Sequence, residues 1–590
     1  MPRAYHRTLV LLKDTFLPRA LSYLLVVFAL GTAVATLRIV VQTHNPVLYG
    51  DQWVIVDDLQ HTNGEITAQK LWVQHNEHRI PIGRLAGYAD MLLFGGRNSF
   101  LLVLIFSIQL VHLAILLAVL RKFGPADLRF EIPAGALCLF CLFSPLQIEN
   151  LVWGFQVQFV LVVCAASLAF AFAVTQSPPF AGLILAAWLA ELSLSNGVLV
   201  WPLLSLVAFG LGYPRKKQIW LGAIGAVSVA VYFYGSHSVP YHSNPVESLR
   251  HPVAILKFVV TYFRTPFDPS MPSASLWPTV AESATLIAVA WALTGAIRCF
   301  VLRQPGFSRL ESFCYASQLF LLASAAITAL GRLRFGPEQA MSSRYQTLAL
   351  LFWASTGILI LLRAFKAEDS RFLLGCEAAL LVLFLAQSSR FAAAEDFARN
   401  RRALSVKAYT ALVRSTNDRE AILADFPSVE AVTNWYGYLQ SHHLGPDPSE
   451  FGGSAAPAHP GLLTVRPATD PPQLNGYQLA AAGACWGFLD EGVPVEGRAH
   501  AFTLSGWAWQ RTGGRLPLRV LLAFPDGAVA QSAEFSVARP DVQKALPEIT
   551  SLNTGWQTTI QAGSGVRLRA YAILTGEKTA CALSNEFAAP

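Results

Sequence analysis

Apolar residues run along this chain in long blocks separated by short polar stretches, and the blocks approach the length of a bilayer crossing. They cover residues 20–42, 99–120, 132–148, 155–175, 180–194, 198–212, 219–234, 281–301, 313–330, 348–362 and 372–387. A helix needs about 20 apolar residues to cross a hydrocarbon layer roughly 30 Å thick, so the pattern predicts eleven transmembrane helices. The first block is too long for a signal-peptide core and no small-residue cleavage pattern follows it, which makes it a retained first span.

An odd number of spans places the chain ends on opposite sides, and an excess of Lys and Arg marks cytoplasmic loops. With the N-terminus inside, the inner segments carry Arg3, Arg7, Lys13 and Arg19, then Arg121, Lys122 and Arg129, then Arg215, Lys216 and Lys217, then Arg298, Arg303 and Arg309, and last Arg363, Lys366 and Arg371. The loops 43–98, 234–280 and 331–346 and everything after Ser388 then face outward. In that outward tail, "RFAAAEDFARNRRALSVKAYTALVRS" and "REAILADFPSVEAVTNWYGYLQ" have helical apolar spacing. A Pro/Gly/Ser-rich stretch at 444–461 follows. Beyond it, short runs such as "AFTLSGWAWQ" and "VRLRAYAIL", separated by "RTGG" and "PDG", read as strands. The expected fold is therefore an α-helical polytopic membrane domain over 1–388, an extracytoplasmic helical segment and linker over 389–460, and an extracytoplasmic β-sandwich over 461–590.

Composition agrees with a membrane setting: of 590 residues 53% are hydrophobic and 14% charged, against about 25% charged in soluble domains. The net charge of +7 is spread over loops and does not form a nucleic-acid-binding surface. Six of the eight cysteines fall in apolar blocks, where a small buried hydrophobe is the ordinary role. Cys485 and Cys581 lie in the tail and could pair outside the cytoplasm. No 20–50-residue repeat is visible.

The chemistry-bearing residues gather in the outward loops. The first loop holds "LYGDQWVIVDDL" at Leu48–Leu59 and "QHNEHRIP" at Gln74–Pro81. Asp57, Asp58 and Glu65 read as solvated loop acids. Asp51 and the run His75, Asn76, Glu77, His78, Arg79 are too concentrated for an ordinary linker. A carboxylate at the membrane surface can take a proton from an acceptor hydroxyl. His75 and His78 would share a face if helical, and with Asp51 they are the weak candidate ligands of a divalent cation, the one cofactor left open. Later loops supply cations: Arg264 in "TYFRTPFDP", Arg332 and Arg334 in "GRLRFG", and Arg344 beside Tyr345. Arginine at an outer boundary runs against the positive-inside bias, and a phosphate held bidentately is a reason to keep it there. Headgroup contact is equally good for Arg332. Glu149, Asn150, Gln156, Gln158, Glu191 and Asn196 stand at outer mouths of spans, lining a cavity or bonding between helices.

A first span, an outward acidic loop close behind it, many further spans and an outward C-terminal domain resemble the GT-C superfamily of membrane glycosyltransferases. The likeness covers the topology of residues 1–387 and the placement of "GDQW". It implies a bacterial inner-membrane enzyme, N-terminus cytoplasmic and C-terminal domain periplasmic. The implied donor is a sugar on a polyprenyl phosphate or diphosphate, the acceptor a glycan, lipid or protein, and Asp51 the general base of an inverting transfer. The second acid often found in that loop motif is replaced here by Gln52 and Trp53. The tail looks like a β-sandwich appended to bacterial glycosyltransferases, through "LSGWAW", "ARPDV" and "NTGW". A transporter or flippase for lipid-linked glycans would show ionisable residues deep in spans and internal repeats. A glycan polymerase would differ in taking a polymerised, diphosphate-linked donor. A non-catalytic glycan-binding surface protein leaves the first loop unexplained.

Overall fold

The computed structural model describes residues 17–62, 64–237, 239, 243, 245–267, 277–414, 418–451, 474–481, 483–490, 492–495, 500–533, 535–574 and 579–590. Arg3, Arg7 and Lys13 of the expected inner end, and residues 452–461 of the Pro/Gly/Ser-rich stretch, lie outside them. The chain divides into two compact units, Met1–Pro427 with Leu444–Pro446, and Ser428–His443 with Asp447–Pro590.

In the first unit, eight helices among the described residues are long and apolar enough to cross a membrane. They answer to eight of the eleven expected blocks, and the chain has the make-up of a multi-pass membrane protein. The remaining three differ. Blocks 180–194 and 198–212 form the shorter helices Phe180–Glu191 and Ser195–Gly210, the first of 12 residues. At 1.5 Å per residue that is about 18 Å, short of the hydrocarbon thickness. The chain doubles back tightly between them: a Cβ on Gly197 would collide with the Ala190 carbonyl. Block 219–234 lies in Arg215–Phe233, which opens on Arg215, Lys216 and Lys217.

The first span, Leu17–Gln42, shows how one face is chosen. Leu25, Ala29, Thr32, Thr36 and Val40 are buried, while Val27, Val34 and Val41, seven residues apart, are left exposed as a lipid-facing stripe. Ser22 of this helix donates to Glu377 of the last span at 2.9 Å. The core is built on Leu128–Leu142, Val157–Ala173, Arg309–Arg332 and Gln346–Lys366. Helix Arg390–Val413 belongs to this unit too, placing Ala394 and Ala398 against Ile39, Leu101 and Ile148.

The second unit carries helix Val429–Ser441 and a ten-stranded sheet. Its path runs Val529–Ala533, Arg519–Ala523, Arg567–Ile573, Thr579–Ala588, Cys485–Leu489, Ala501–Gln510, Gly555–Gln561, Phe535–Val537. Neighbours are antiparallel except Thr579–Ala588 with Cys485–Leu489, joined through Ser584 and Phe488. The expected two-sheet sandwich is thus one continuous strand path curled around a shared core of Leu489, Leu504, Leu522, Trp556, Leu568 and Leu583. Its two end strands, Val529–Ala533 and Phe535–Val537, are separated by a single residue of chain, and Gln531 donates to Thr558 across the gap at 3.3 Å. Cys485 and Cys581 are disulfide-bonded, with Cα atoms 6.3 Å apart.

The tail motifs have packing roles. Arg539 of "ARPDV" bonds Asp541 and reaches Asp490 at 3.1 Å. The glycine of "NTGW", Gly555, has room for no side chain: a Cβ would sit 2.8 Å from both Arg539 Cγ and the Val537 carbonyl.

Candidate functional site

Asp51 stands in a single 3₁₀ turn, Gly50–Gln52, just before helix Trp53–His61. Gly50 has φ +53°, and a Cβ there would lie 3.3 Å from the Trp153 ring, so the turn needs glycine for both reasons. Gln52 points inward and is buried. Its Oε1 accepts the Tyr49 N–H at 3.2 Å, and its Nε2 bonds Asn98, which donates in turn to the carbonyls of Asn45 and Val47 at 3.0 and 2.9 Å. An acid at position 52 would meet the Tyr49 N–H and one side-chain amide tied to two carbonyls rather than a substrate. Asp51 points the other way and keeps 40% of its side-chain surface exposed.

The run Gln74–Arg79 is not helical. It is a two-stranded hairpin, Gln74–His75 against His78–Arg79, with exposed Asn76 in the left-handed region at φ 48°. His75 and His78 are direct cross-strand partners, yet they turn to different neighbours. His75 Nε2 lies 3.6 Å from Asp51 Oδ2, its ring edge-on to Phe155. His78 Nδ1 meets the Ser195 hydroxyl at 2.5 Å, and its Nε2 lies 3.6 Å from Glu77. No group of three His, Cys, Asp or Glu side chains converges on a common point among the described residues. Asp51 and His75 together offer a cation two ligands. Arg79 is buried and its guanidinium is occupied: Nε donates to the Tyr232 carbonyl and Nη2 to the Tyr234 carbonyl, both at 2.7 Å, and Nη1 to that of Trp72. It fastens the hairpin to the end of helix Arg215–Phe233, where carbonyls lack helical partners.

The outer arginines are brought toward Asp51. Arg332 ends helix Arg309–Arg332 and donates to Glu77 at 2.8 Å. Arg344 lies in the turn Ser343–Tyr345; its Nη2 is 3.2 Å from buried Glu149, and its carbonyl accepts from Asn150 at 2.8 Å. Tyr345 is buried and stacks on Tyr262 with centroids 5.3 Å apart, so it holds the turn from behind. Burial works against the charge on Asp51, but the hydrogen bond to His75 and the positive charges of His75, Arg344 and Arg332 outweigh it, and its pKa lies below the usual carboxylate value. Asp51 is a full carboxylate at neutral pH. Arg264 closes helix Pro252–Arg264.

The remaining loop acids separate cleanly. Glu65 is exposed, and Asp57 pairs with His61 at 3.4 Å. Asp58 is not a solvated acid: it is 3% exposed, ion-paired to buried Arg84, and accepts the Tyr88 hydroxyl at 3.1 Å with Lys70 at 3.5 Å.

Below this level lies an apolar cavity of about 390 Å³, lined by Phe140, Phe267, Trp353, Leu380 and Phe384 among others. At its rim Gln387 donates to the Pro266 carbonyl at 2.6 Å, two residues after Arg264. Leu350 of its wall is six residues, or about 9 Å of helix, beyond Arg344.

Two groups at the site come from the segment read as linker. Arg401 packs its guanidinium on Tyr49 at 4.0 Å and Trp153 at 5.7 Å, with Nη2 3.9 Å from Glu149. Asp425 accepts Trp53 Nε1–H at 2.9 Å. The only signal in the sequence is an Arg and an Asp on apolar-spaced helices, which solvated faces share. Searched against family models, curated proteins and solved structures, the chain matches none.

Proposed function

We propose that the protein is a membrane glycosyltransferase of the GT-C type, moving a sugar from a polyprenyl-phosphate or diphosphate donor to an extracytoplasmic glycan, lipid or protein acceptor. The observation that carries the reading is the half-exposed carboxylate of Asp51, paired with His75 and kept ionised by Arg332 and Arg344. A base and phosphate-sized positive charge at one height are what such a donor requires. The acceptor oxygen attacks the anomeric carbon, the C1–O bond to the phosphate breaks with its electron pair leaving on the polyprenyl phosphate, and the hydroxyl proton passes to Asp51. Arg344 and Arg332 favour the charge that develops on the leaving phosphate. The apolar cavity beneath suits the lipid tail, with Arg264 near its rim. In this reading the site opens to the periplasmic side of the bacterial inner membrane.

The test is transfer from a polyprenyl-phosphate sugar by purified Asp51→Asn protein. The isostere cannot accept the proton, so a fall of about 10² to 10⁴ is expected, while Asp57→Asn stays near wild type. Wild-type transfer by Asp51→Asn overturns the assignment.

A further inference from the structure

Helices Arg390–Val413 and Arg419–Asp425 follow the last span and pack within the first unit, and they close on the residues that flank Asp51. Asp425 is buried and takes the Trp53 indole N–H at 2.9 Å, two residues after Asp51. The Gly50 N–H also turns toward its carboxylate, and the Ser405 hydroxyl, which donates to the Arg401 carbonyl at 3.0 Å, lies beside it. Arg401 covers the ring of Tyr49, two residues before Asp51, and leans on Trp153, whose own Nε1 donates to the Tyr49 carbonyl at 3.2 Å. Tyr49, Gly50 and Trp53 are thus each held by this segment, whereas Asp51 itself is left uncovered by it. A turn of three residues has too few internal hydrogen bonds to fix a side chain's aim.

We propose that Asp425 and Arg401 are positioning residues for Asp51, and that the segment after the last span is a clasp that sets the aim of the catalytic turn. This rests on the role given to Asp51 above. The groups that face Asp425 are Arg401 and Ser405 from helix Arg390–Val413 and Trp53 and Gly50 from the first loop, with Arg401 the charge set against it. Burial pushes Asp425 up to about 7, above the roughly 4 of an exposed carboxyl, so the closed clasp holds a proton that closure must give up progressively as the pH rises from about 4 to about 7. The clasp weakens in that direction.

Amide hydrogen exchange on the full chain in lipid nanodiscs reads the turn directly, through a peptide covering residues 47–56. Losing the bond to Asp425 should raise exchange there by about tenfold or more in Asp425→Ala, and Arg401→Ala should act in the same sense. Asp425→Asn keeps an acceptor for Trp53, so it should retain most of the protection and lose the weakening between about pH 4 and 7. Helix Arg309–Arg332 reports that the fold is intact; should Asp425→Ala fail that check, Trp53→Phe removes the donor while keeping an aromatic ring in its place. Unchanged protection of residues 47–56 in Asp425→Ala, or in Trp53→Phe, overturns the clasp. Lost protection accompanied by wild-type sugar transfer upholds the clasp and instead overturns the role of Asp51.

Discussion

Asp51 and Asp58 lie seven residues apart in one loop, each beside a basic side chain, and the chain treats them in opposite ways. Asp58 is enclosed with Arg84, Tyr88 and Lys70, and its lone pairs are used. Asp51 meets His75 at 3.6 Å and keeps 40% of its side chain open, with two arginines acting from farther off. A satisfied charge holds a loop together; a charge whose surroundings favour ionisation without consuming it can react. Acidic residues near a membrane surface are therefore sorted by how fully their partners occupy them.

The largest effect expected from this contrast is on stability. Asp58→Ala leaves Arg84 charged and buried without its partner, which typically costs about 3–5 kcal/mol, and detergent-solubilised protein should show a matching drop in Tm. Next is Arg344→Lys, which exchanges a planar fork for a point charge; apparent donor KM should rise about tenfold, the loss of one charge-assisted bond, and an unchanged KM would remove Arg344 from donor binding. Acid should act on Asp51 in a set direction. Its folded pKa is below the unfolded value, so its stabilisation is present above about pH 4 and fades as pH falls through the folded value. An Asp51→Asn protein should lose less Tm than wild type between pH 5 and 3. The smallest effect is that of Asp51→Asn on stability at neutral pH, expected within about 0.5 kcal/mol. A large neutral-pH loss would place Asp51 with Asp58 as a structural acid.

The parts legible in the sequence were those with a period or a length. Eight apolar blocks matched helices, because twenty apolar residues have one economical conformation in lipid. Phe180–Glu191 shows the limit: hydropathy sees the block but not the Ser-Asn-Gly turn that folds it back, where Gly197 lies against Ala190. Asp51 and Arg344 were legible as misplaced charges, but their neighbours were not. Whether Arg79 recognises a ligand or three carbonyls depends on Tyr232 and Tyr234, more than 150 positions away. A comparable separation hid the partner of Glu149, Arg344 on another span. Asp58 was misjudged because a solvated acid and one buried on Arg84 have the same letter.

The curl of the C-terminal sheet bears on how the unit meets its neighbours. One stretch of chain, Val529–Val537, forms both ends of the strand path, as strands of five and three residues. A neighbouring molecule seeking to add a strand needs a long open edge. Here the two candidate edges are short and are tethered to each other covalently. Edges this short give a second copy of the unit little on which to template an added strand.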